Sequence, residues 1–356
     1  MSYDQPFLLY GATGYTGELT ARTAVDLQMR PILAGRNREK VARLAGELGL
    51  PWRAFGLDDA PGTGGALHSA LRDVPVVLHC AGPFSQTYRP MVDACLHTGT
   101  HYLDITGEMV ELEDLPGRDA EAKAAGVMLL PSAGFDVVPS DCLALHVARR
   151  LPSATRLALA FMGAGGFSRG TMRSVVDTAE RPGMIRKDGK LTPVPAGYKS
   201  RDVDFGKGPV RCVTIPWGDV ATAYYSTGIP NIETYAGFGA GAEVALKGAN
   251  VLKPLLGSAL GQRALKGLVG LLPAGPGAAE RAKGYALLWA EVTDEAGNRA
   301  VSRMRTPHAY TLTALTALEV VRRVLAGDVH PGFQTPAKAY GPDLILEIGG
   351  VKREDL

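Results

Sequence analysis

The chain has 356 residues, 46% of them hydrophobic and 21% charged, with a formal net charge of +2 at pH 7. This length suits two domains of ordinary size, and the composition is typical of a chain with buried cores rather than of a disordered one. Because the net charge is small and no run of Lys and Arg with interleaved aromatic residues occurs, we expect no nucleic-acid partner.

The cysteines and the N-terminus indicate a reducing compartment. Cys80, Cys95, Cys142 and Cys212 are widely and irregularly spaced with no CxxC pair, which argues against a disulfide frame or a metal knuckle. The first residues, MSYDQPFLLY, contain an acid and no basic stretch before a very short apolar run. We therefore expect a cytoplasmic protein with no metal site.

The first predicted unit is a strand, a glycine turn and a helix. Residues 7–10 are apolar, "GATGYTG" follows at 11–17, and 18–27 suit a helix. In a dinucleotide-binding fold Gly11 would allow the sharp turn, Gly14 the approach of a pyrophosphate, and Gly17 close packing of the helix. The predicted phosphate-binding residues are Gly11, Ala12, Thr13, Gly14, Tyr15, Thr16 and Gly17.

The second predicted strand, residues 30–34, indicates which nucleotide binds. NAD-binding chains usually carry Asp or Glu after this strand, whereas this one reads "LAGRNREK". Arg36, Asn37, Lys40 and the neighbouring Arg38 would lie where a 2′-phosphate sits, so the sequence predicts NADP(H). The alternative is a solvated basic start of a helix.

Strands and helices continue to alternate, with strands predicted at 52–55, 76–80, 102–104 and 127–130. This alternation predicts a doubly wound, mostly parallel sheet whose ligands lie beyond the carboxyl ends of its strands. The residues predicted to lie beside the cofactor after the fourth strand are Cys80, Ala81, Gly82, Pro83 and Phe84.

From about Thr155 the pattern changes to longer candidate strands, including a hairpin at 285–305 closed by residues 294–298. Ser168 is a candidate N-cap for a helix at 171–180. We therefore predict an α/β chain: a Rossmann-type doubly wound parallel sheet, then a second α+β domain with a mixed, largely antiparallel sheet.

Residues 244–279 contain Lys247, Lys253, Arg263 and Lys266 but no acid, among many apolar residues. This stretch could lie on a membrane surface, cover an apolar substrate or contact a partner. The alternative is a pair of core helices whose lysines reach solvent.

The sequence excludes some catalytic chemistries and leaves others open. No Tyr has Lys at the fourth following position, which excludes the short-chain dehydrogenase proton-transfer pair, and the histidines show no metal-binding spacing. Candidate proton donors are Tyr88, Asp136 and Tyr225 with its neighbour Tyr224. Tyr88 could instead only pack its ring, and Asp136 could cap the helix predicted near Pro139.

The stretches "GATGYTG", "AGRN", "CAGPFSQ", "YLDITGE", "GFDVVPSD" and "TPAKAYGPDLI" together resemble the saccharopine dehydrogenase-like oxidoreductases, nearest to the trans-acting enoyl reductase branch. The resemblance implies an NADP-binding domain at 1–150, a substrate domain at 151–306, and C-terminal helices at 307–356 that return to the first domain.

The activity expected from this resemblance is NADPH-dependent reduction of the C=C bond of an apolar, acyl-type substrate. A saccharopine-type imine or amine oxidoreductase, and a non-catalytic NADP-binding protein recruited to lipid or to a protein partner, stay open. An acyl carrier protein, a peripheral membrane contact and a homodimer are candidate interactions.

Overall fold

The structure is a computed structural model that describes residues 6–58, 65–164, 166, 168–178, 182–237 and 258–356. The chain divides into two compact units, each made of two stretches. The first unit contains Met1–Val138 and Tyr310–Ala339, and the second contains Pro139–Ala309 and Tyr340–Leu356. The division falls earlier than residue 150, where the sequence suggested it, and the last residues join the second unit.

The first unit is built on a parallel sheet, with seven strands in the part of the chain that the structure describes. The strands are β1 (Leu8–Tyr10), β2 (Ile32–Gly35), β3 (Trp52–Ala54), β4 (Val76–His79), β5 (His101–Asp104), β6 (Met128–Leu130) and β15 (Gly332–Phe333). Their order is β15-β6-β5-β4-β1-β2-β3, and every pairing is parallel. Strands β1, β2, β4 and β6 are buried throughout, as expected for a parallel sheet covered on both faces.

Helices follow these strands in the first unit. They are α1 (Tyr15–Asp26), α2 (Arg38–Leu48), α3 (Ala66–Leu71), α4 (Phe84–Thr98), α5 (Met109–Asp114), α6 (Asp119–Ala124) and α12 (Ala309–Leu325). The buried side of α1 consists of Gly17, Thr20, Ala21 and Ala24. These small residues let the helix lie close to the sheet. The start of the helix thereby also lies close to the turn that precedes it.

The second unit contains a mixed sheet, with nine strands among the residues described. The strands are β7 (Arg156–Ala164), β8 (Gly183–Lys187), β9 (Lys190–Val194), β10 (Ser200–Asp204), β11 (Pro209–Thr214), β12 (Asn231–Gly237), β13 (Tyr285–Thr293), β14 (Arg299–Pro307) and β16 (Lys352–Asp355). The main path runs β10-β11-β12-β7-β13-β14-β16, with β8 pairing to β12 and β9. Only β12 with β7 is parallel among these described pairs.

The remaining helices are α7 (Val138–Arg150), which starts at the division between the units, α8 (Arg169–Thr178), α9 (Asp219–Thr227), α10 (Ala259–Gly270), α11 (Ala278–Lys283) and α13 (Pro336–Tyr340). No helix in the described ranges is both long and apolar enough to cross a membrane.

The predicted fold class is confirmed by the parallel sheet of the first unit and the mixed sheet of the second. The predicted hairpin is β13–β14, and the Ser168 hydroxyl accepts from the Thr171 amide at 3.1 Å as the N-cap of α8. Of the basic apolar stretch 244–279, residues 244–257 lie outside the described residues, and with them Lys247 and Lys253.

Candidate functional site

The glycine turn between β1 and α1 is shaped by two close backbone contacts. Gly11 has φ +83°, and a Cβ atom there would lie 2.7 Å from the Ala81 nitrogen. A Cβ atom at Gly17 would lie 2.2 Å from the Gly11 carbonyl oxygen. Because backbone atoms fill both positions, only glycine fits either one.

The same turn fits the pyrophosphate of a dinucleotide. Gly14 is the N-cap of α1 and has no side chain with which to cap the helix. A Cβ atom at Gly14 would meet only the Gly11 carbonyl oxygen, at 3.4 Å. The first turn of a helix presents N–H groups without intrahelical partners and the positive end of the helix dipole, which suit phosphate oxygens. Gly11, Ala12, Thr13, Gly14, Tyr15, Thr16 and Gly17, the residues predicted to bind phosphate, all belong to this turn and the start of α1.

Basic residues follow β2 next to the glycine turn. The amides of Gly11 and Ala12 donate to the Ala34 carbonyl at 2.9 and 3.1 Å, which ties the turn to the end of β2. Arg36 is exposed, and although burial raises the pKa of Tyr10 to about 12, the charge of Arg36 opposes that rise. Arg36 directly follows β2, the strand whose end is tied to the glycine turn.

The other residues predicted for the 2′-phosphate lie at the start of α2. Asn37 is its N-cap, with its side-chain oxygen accepting from the Lys40 amide at 2.9 Å. Lys40 is exposed, and the Arg38 guanidinium stacks over the Trp52 ring at 5.0 Å. Asn37 thus fixes the helix start and orients the basic residues around it.

The loop after β4 passes beside the glycine turn. The Thr87 hydroxyl donates to the Ala81 carbonyl at 2.7 Å and accepts from His79 Nε2 at 3.0 Å. Burial lowers the pKa of His79 to about 3, so this imidazole stays neutral. Burial, with a smaller effect of Asp104, raises the pKa of Cys80, which keeps it a thiol and argues against a nucleophilic role.

Two carboxylates hold three strand-end loops together. Glu108 accepts from the Phe84 and Ser85 amides at 2.9 Å each, so it caps α4 from the loop after β5. The Asp104 Oδ1 accepts from the Thr106 and Ser132 amides at 2.8 Å each. The loops after β4, β5 and β6 are therefore fixed relative to one another.

Sequence reasoning did not single out Asp104 or Glu108. The signal was present in "LDITGE", where an acid ends a strand and a second acid follows a Thr-Gly pair. Their partners are up to 28 positions away in the chain, so the hydrogen bonds depend on how the strands are arranged.

Asp136 lies at the same carboxyl-terminal edge, against Gly107 of the loop after β5. A Cβ atom at Gly107 would lie 2.9 Å from Asp136 Oδ2, so the carboxylate occupies the space that the glycine leaves. Asp136 is half-buried, and this burial raises its pKa to about 6. A carboxyl group with such a pKa can give up or take a proton near neutral pH.

Tyr88 lies on α4 and is 1% exposed. Its hydroxyl donates to Asp114 Oδ2 at 2.7 Å and accepts from Arg89 Nε at 2.8 Å, while Arg89 pairs with Asp114 at 3.2 Å. Burial and the Asp114 hydrogen bond raise the pKa of Tyr88. The hydroxyl proton is thus used in a link between α4 and α5, which favours the packing alternative for Tyr88.

Tyr225 lies in the second unit, on α9. Its ring meets that of Tyr224 edge-on at 5.5 Å, and the Arg186 guanidinium lies 4.4 Å from the Tyr224 ring centre. Arg186 also donates to the carbonyls of Val220 and Gly189 at 2.8 Å each. In these contacts the two tyrosines pack around a buried guanidinium.

Two acids of the first unit, Asp104 and Glu111, are buried and lie close together. The Tyr102 hydroxyl donates to Glu111 Oε1 at 3.0 Å. Burial, and next the neighbouring Asp104, raise the pKa of Glu111 well above its ordinary range. Asp104 Oδ2 and Glu111 Oε2 receive no other donor within the described residues, so a proton on Glu111 that hydrogen-bonds to Asp104 satisfies the pair.

The part of the chain that contains the glycine turn is similar to known proteins. Residues 7–130 match the family model "Saccharopine dehydrogenase NADP binding domain". The chain is 34% identical over 151 residues to a trans-acting enoyl reductase of Mycobacterium leprae, covering 40% of this chain and 35% of that protein. It is 31% identical over 165 residues to the saccharopine dehydrogenase-like oxidoreductase of Bos taurus, covering 41% and 38%.

The chain therefore spans only 35% and 38% of the length of these two relatives. Among solved structures, the fold is similar to that of saccharopine dehydrogenase (L-Glu forming) from Saccharomyces cerevisiae, with a TM-score of 0.68. That match covers 99% of this chain and 100% of the yeast chain at 14% identity, so it shows the fold alone. Residues 7–130, which are similar to the saccharopine dehydrogenase NADP-binding domain, contain both the glycine turn and the basic residues after β2.

Proposed function

We propose that the chain is an NADPH-dependent oxidoreductase that reduces the C=C bond of an apolar, acyl-type substrate. The NADP-binding domain and the similarity to trans-acting enoyl reductases support this proposal. The observation that carries it is Asp136, a carboxyl group with a pKa of about 6 against the loop after β5, at the edge of a parallel sheet where such folds bind ligands.

Different residues of the first unit would bind different parts of NADPH. The turn from Gly11 to Gly17 would hold the pyrophosphate through backbone N–H groups, and Arg36 with Lys40 would pair with the 2′-phosphate. The loop containing Cys80, Ala81, Gly82, Pro83 and Phe84 would lie along the central part of the cofactor. Bound NADPH supplies the hydride that this chemistry requires.

Reduction of an activated C=C bond also needs one proton on the α-carbon. Asp136 would hold that proton on its carboxyl group and be reprotonated from solvent, since its side chain is only half-buried. Asp104 and Glu108 would act as positioning residues, because they fix the loops that carry Asp136 and Phe84. Tyr88 and Tyr225 stay as weaker proposals for the proton donor.

The experiment is NADPH oxidation by the purified chain with two panels of acceptors. One panel contains α,β-unsaturated acyl thioesters of increasing chain length, and the other contains 2-oxo acids with amino acids, as a saccharopine-type reaction would require. We expect oxidation with the thioesters, increasing with chain length. Turnover with the second panel alone would assign the imine reaction, and NADPH binding without turnover on either would favour a non-catalytic role.

A further inference from the structure

The second unit carries an exposed group of leucines at the end of α10. Leu268 is 64% exposed, Leu271 84% and Leu272 38%. Their spacing of three and four residues places them on one side of the chain, although Leu271 and Leu272 lie just beyond the last helical residue. We call these three residues the leucine surface. Single exposed apolar residues are ordinary on protein surfaces, whereas several side by side are typical of a surface that binds another molecule or a membrane.

Hydrogen bonds from α8 hold the leucine surface in place. The Arg169 guanidinium donates to the Leu272 carbonyl at 3.0 and 2.7 Å, and the Arg169 amide donates to the Ala274 carbonyl at 3.0 Å. Val269, between the exposed leucines, is buried. The leucines therefore point outward from a fixed stretch of backbone.

The sequence that leads to this surface is basic. From residue 244 to residue 279 the sequence contains two lysines before the described part of α10, then Arg263 and Lys266, and no acid. Arg263 is exposed on α10, and Arg173 is exposed on α8, which packs against it. Protruding leucines flanked by basic residues suit an interface that is apolar inside and anionic at its surface.

We propose that the leucine surface inserts into an anionic lipid interface, with Arg263 and Arg173 close to the lipid headgroups. The leucines lose their exposed apolar area in the acyl region, while the basic side chains gain a salt-screened attraction. This interaction goes beyond the proposed reduction and does not depend on it. A lipid-bound position would also suit an enzyme whose substrate is an acyl chain.

The test is cosedimentation of the full chain with vesicles of phosphatidylglycerol and phosphatidylcholine, compared with vesicles of phosphatidylcholine alone. Wild type should bind the anionic vesicles, and more weakly at high salt. The Leu268→Ser, Leu271→Ser double variant should bind at least about tenfold more weakly at every salt concentration. Arg263→Gln should weaken binding several-fold at low salt only.

Leu27→Ser is the matched control, because Leu27 is 48% exposed but lies in the first unit. This variant should bind vesicles as wild type does. Because all substituted side chains are exposed, thermal unfolding should show that each variant is folded.

Three results would overturn the proposal: no binding of wild type to anionic vesicles, equal binding to neutral vesicles, or binding unchanged in the leucine variant. Loss of binding to an acidic acyl carrier protein in the leucine variant, with no vesicle binding by wild type, would assign the surface to a protein partner instead. NADPH oxidation plays no part in these readouts, so their failure is separate from failure of the proposed activity.

Discussion

Among single residues, Arg36 is the one on which we propose that the choice between NADPH and NADH depends. It is exposed directly after β2, where its guanidinium can pair with a 2′-phosphate without first breaking an ion pair in the described part of the chain. A charge-assisted hydrogen bond contributes about 1.5 to 3 kcal/mol, which is about a tenfold to hundredfold difference in affinity.

We therefore expect Arg36→Ala to remove most of the preference for NADPH over NADH in a calorimetric titration. Arg43→Ala is the control, because Arg43 is exposed on the same helix α2. The control should keep the preference. A full preference in Arg36→Ala would move the 2′-phosphate site elsewhere.

Asp136 should give the reaction a characteristic pH dependence. Its carboxyl group acts as an acid only while protonated, and its pKa is about 6. The turnover number should therefore fall about tenfold per pH unit above that value.

Asp136→Asn should lower turnover by about 100-fold or more and abolish this pH-dependent decline, with NADPH affinity nearly unchanged. Tyr88→Phe is the contrasting variant, because its hydroxyl already donates to Asp114. It should mainly reduce thermal stability. If Tyr88→Phe lost turnover while Asp136→Asn kept it, the two assignments would be exchanged.

Glu111 should make the protein less stable as pH rises, whereas most acids in folded proteins make it more stable. Its pKa is raised in the folded protein, chiefly by burial, whereas an unfolded glutamate titrates near about 4.3. Above that pH, unfolding releases a proton, so the free energy of unfolding falls as pH rises toward the folded pKa.

Glu111→Gln keeps a neutral, hydrogen-bonding side chain beside Asp104. Melting temperatures measured from about pH 5 to about pH 9 should favour the variant increasingly over wild type as pH rises. Glu113→Gln, on the same helix α5, should show no such trend. A constant difference between wild type and Glu111→Gln would mean that Glu111 is ionised in the folded protein.

At the scale of elements, the glycine turn requires α1 to lie against the loop that precedes it. A Cβ atom at Gly17 would overlap the Gly11 carbonyl, and since backbone cannot rotate away, the helix would have to shift. Overpacking of this kind typically costs about 1 to 3 kcal/mol.

Gly17→Ala should therefore lower the free energy of unfolding by about that amount and weaken NADPH binding, as followed by urea unfolding and titration. Gly46→Ala is the matched control, because Gly46 lies inside α2 and a Cβ atom there would meet nothing within 4 Å. The control should be neutral or more stable by up to about 1 kcal/mol. Equal behaviour of the two variants would contradict the close contact at Gly17.

The same elements show what a sequence can predict. The glycine turn, the strands around it and the β13–β14 hairpin follow from local pattern, because each depends on residues close together in the chain. The cap of α4 by Glu108 and the loop link through Asp104 could not be predicted, since they join loops that meet only after the sheet has formed. Tyr88 looked free for catalysis because its partner Asp114 lies 26 positions away.

At the scale of the whole molecule, each unit combines two separate stretches of chain. Tyr310–Ala339 belongs with the NADP-binding sheet, whereas Tyr340–Leu356 ends in β16, which pairs with β14 of the second sheet. Hydrophobic pattern alone does not tell which sheet a late strand joins, because several sheet edges offer the same backbone partners.

We propose that this chain transfers a hydride from NADPH to the C=C bond of an acyl substrate. The most direct test is to supply NADPH carrying deuterium at the transferable position of the nicotinamide, with an α,β-unsaturated acyl thioester, and to locate the label by mass spectrometry and NMR. We expect a saturated product with one deuterium on the β-carbon and a solvent-derived proton on the α-carbon. A saturated product without deuterium on the β-carbon, or no saturated product at all, would show that the proposed hydride transfer does not occur.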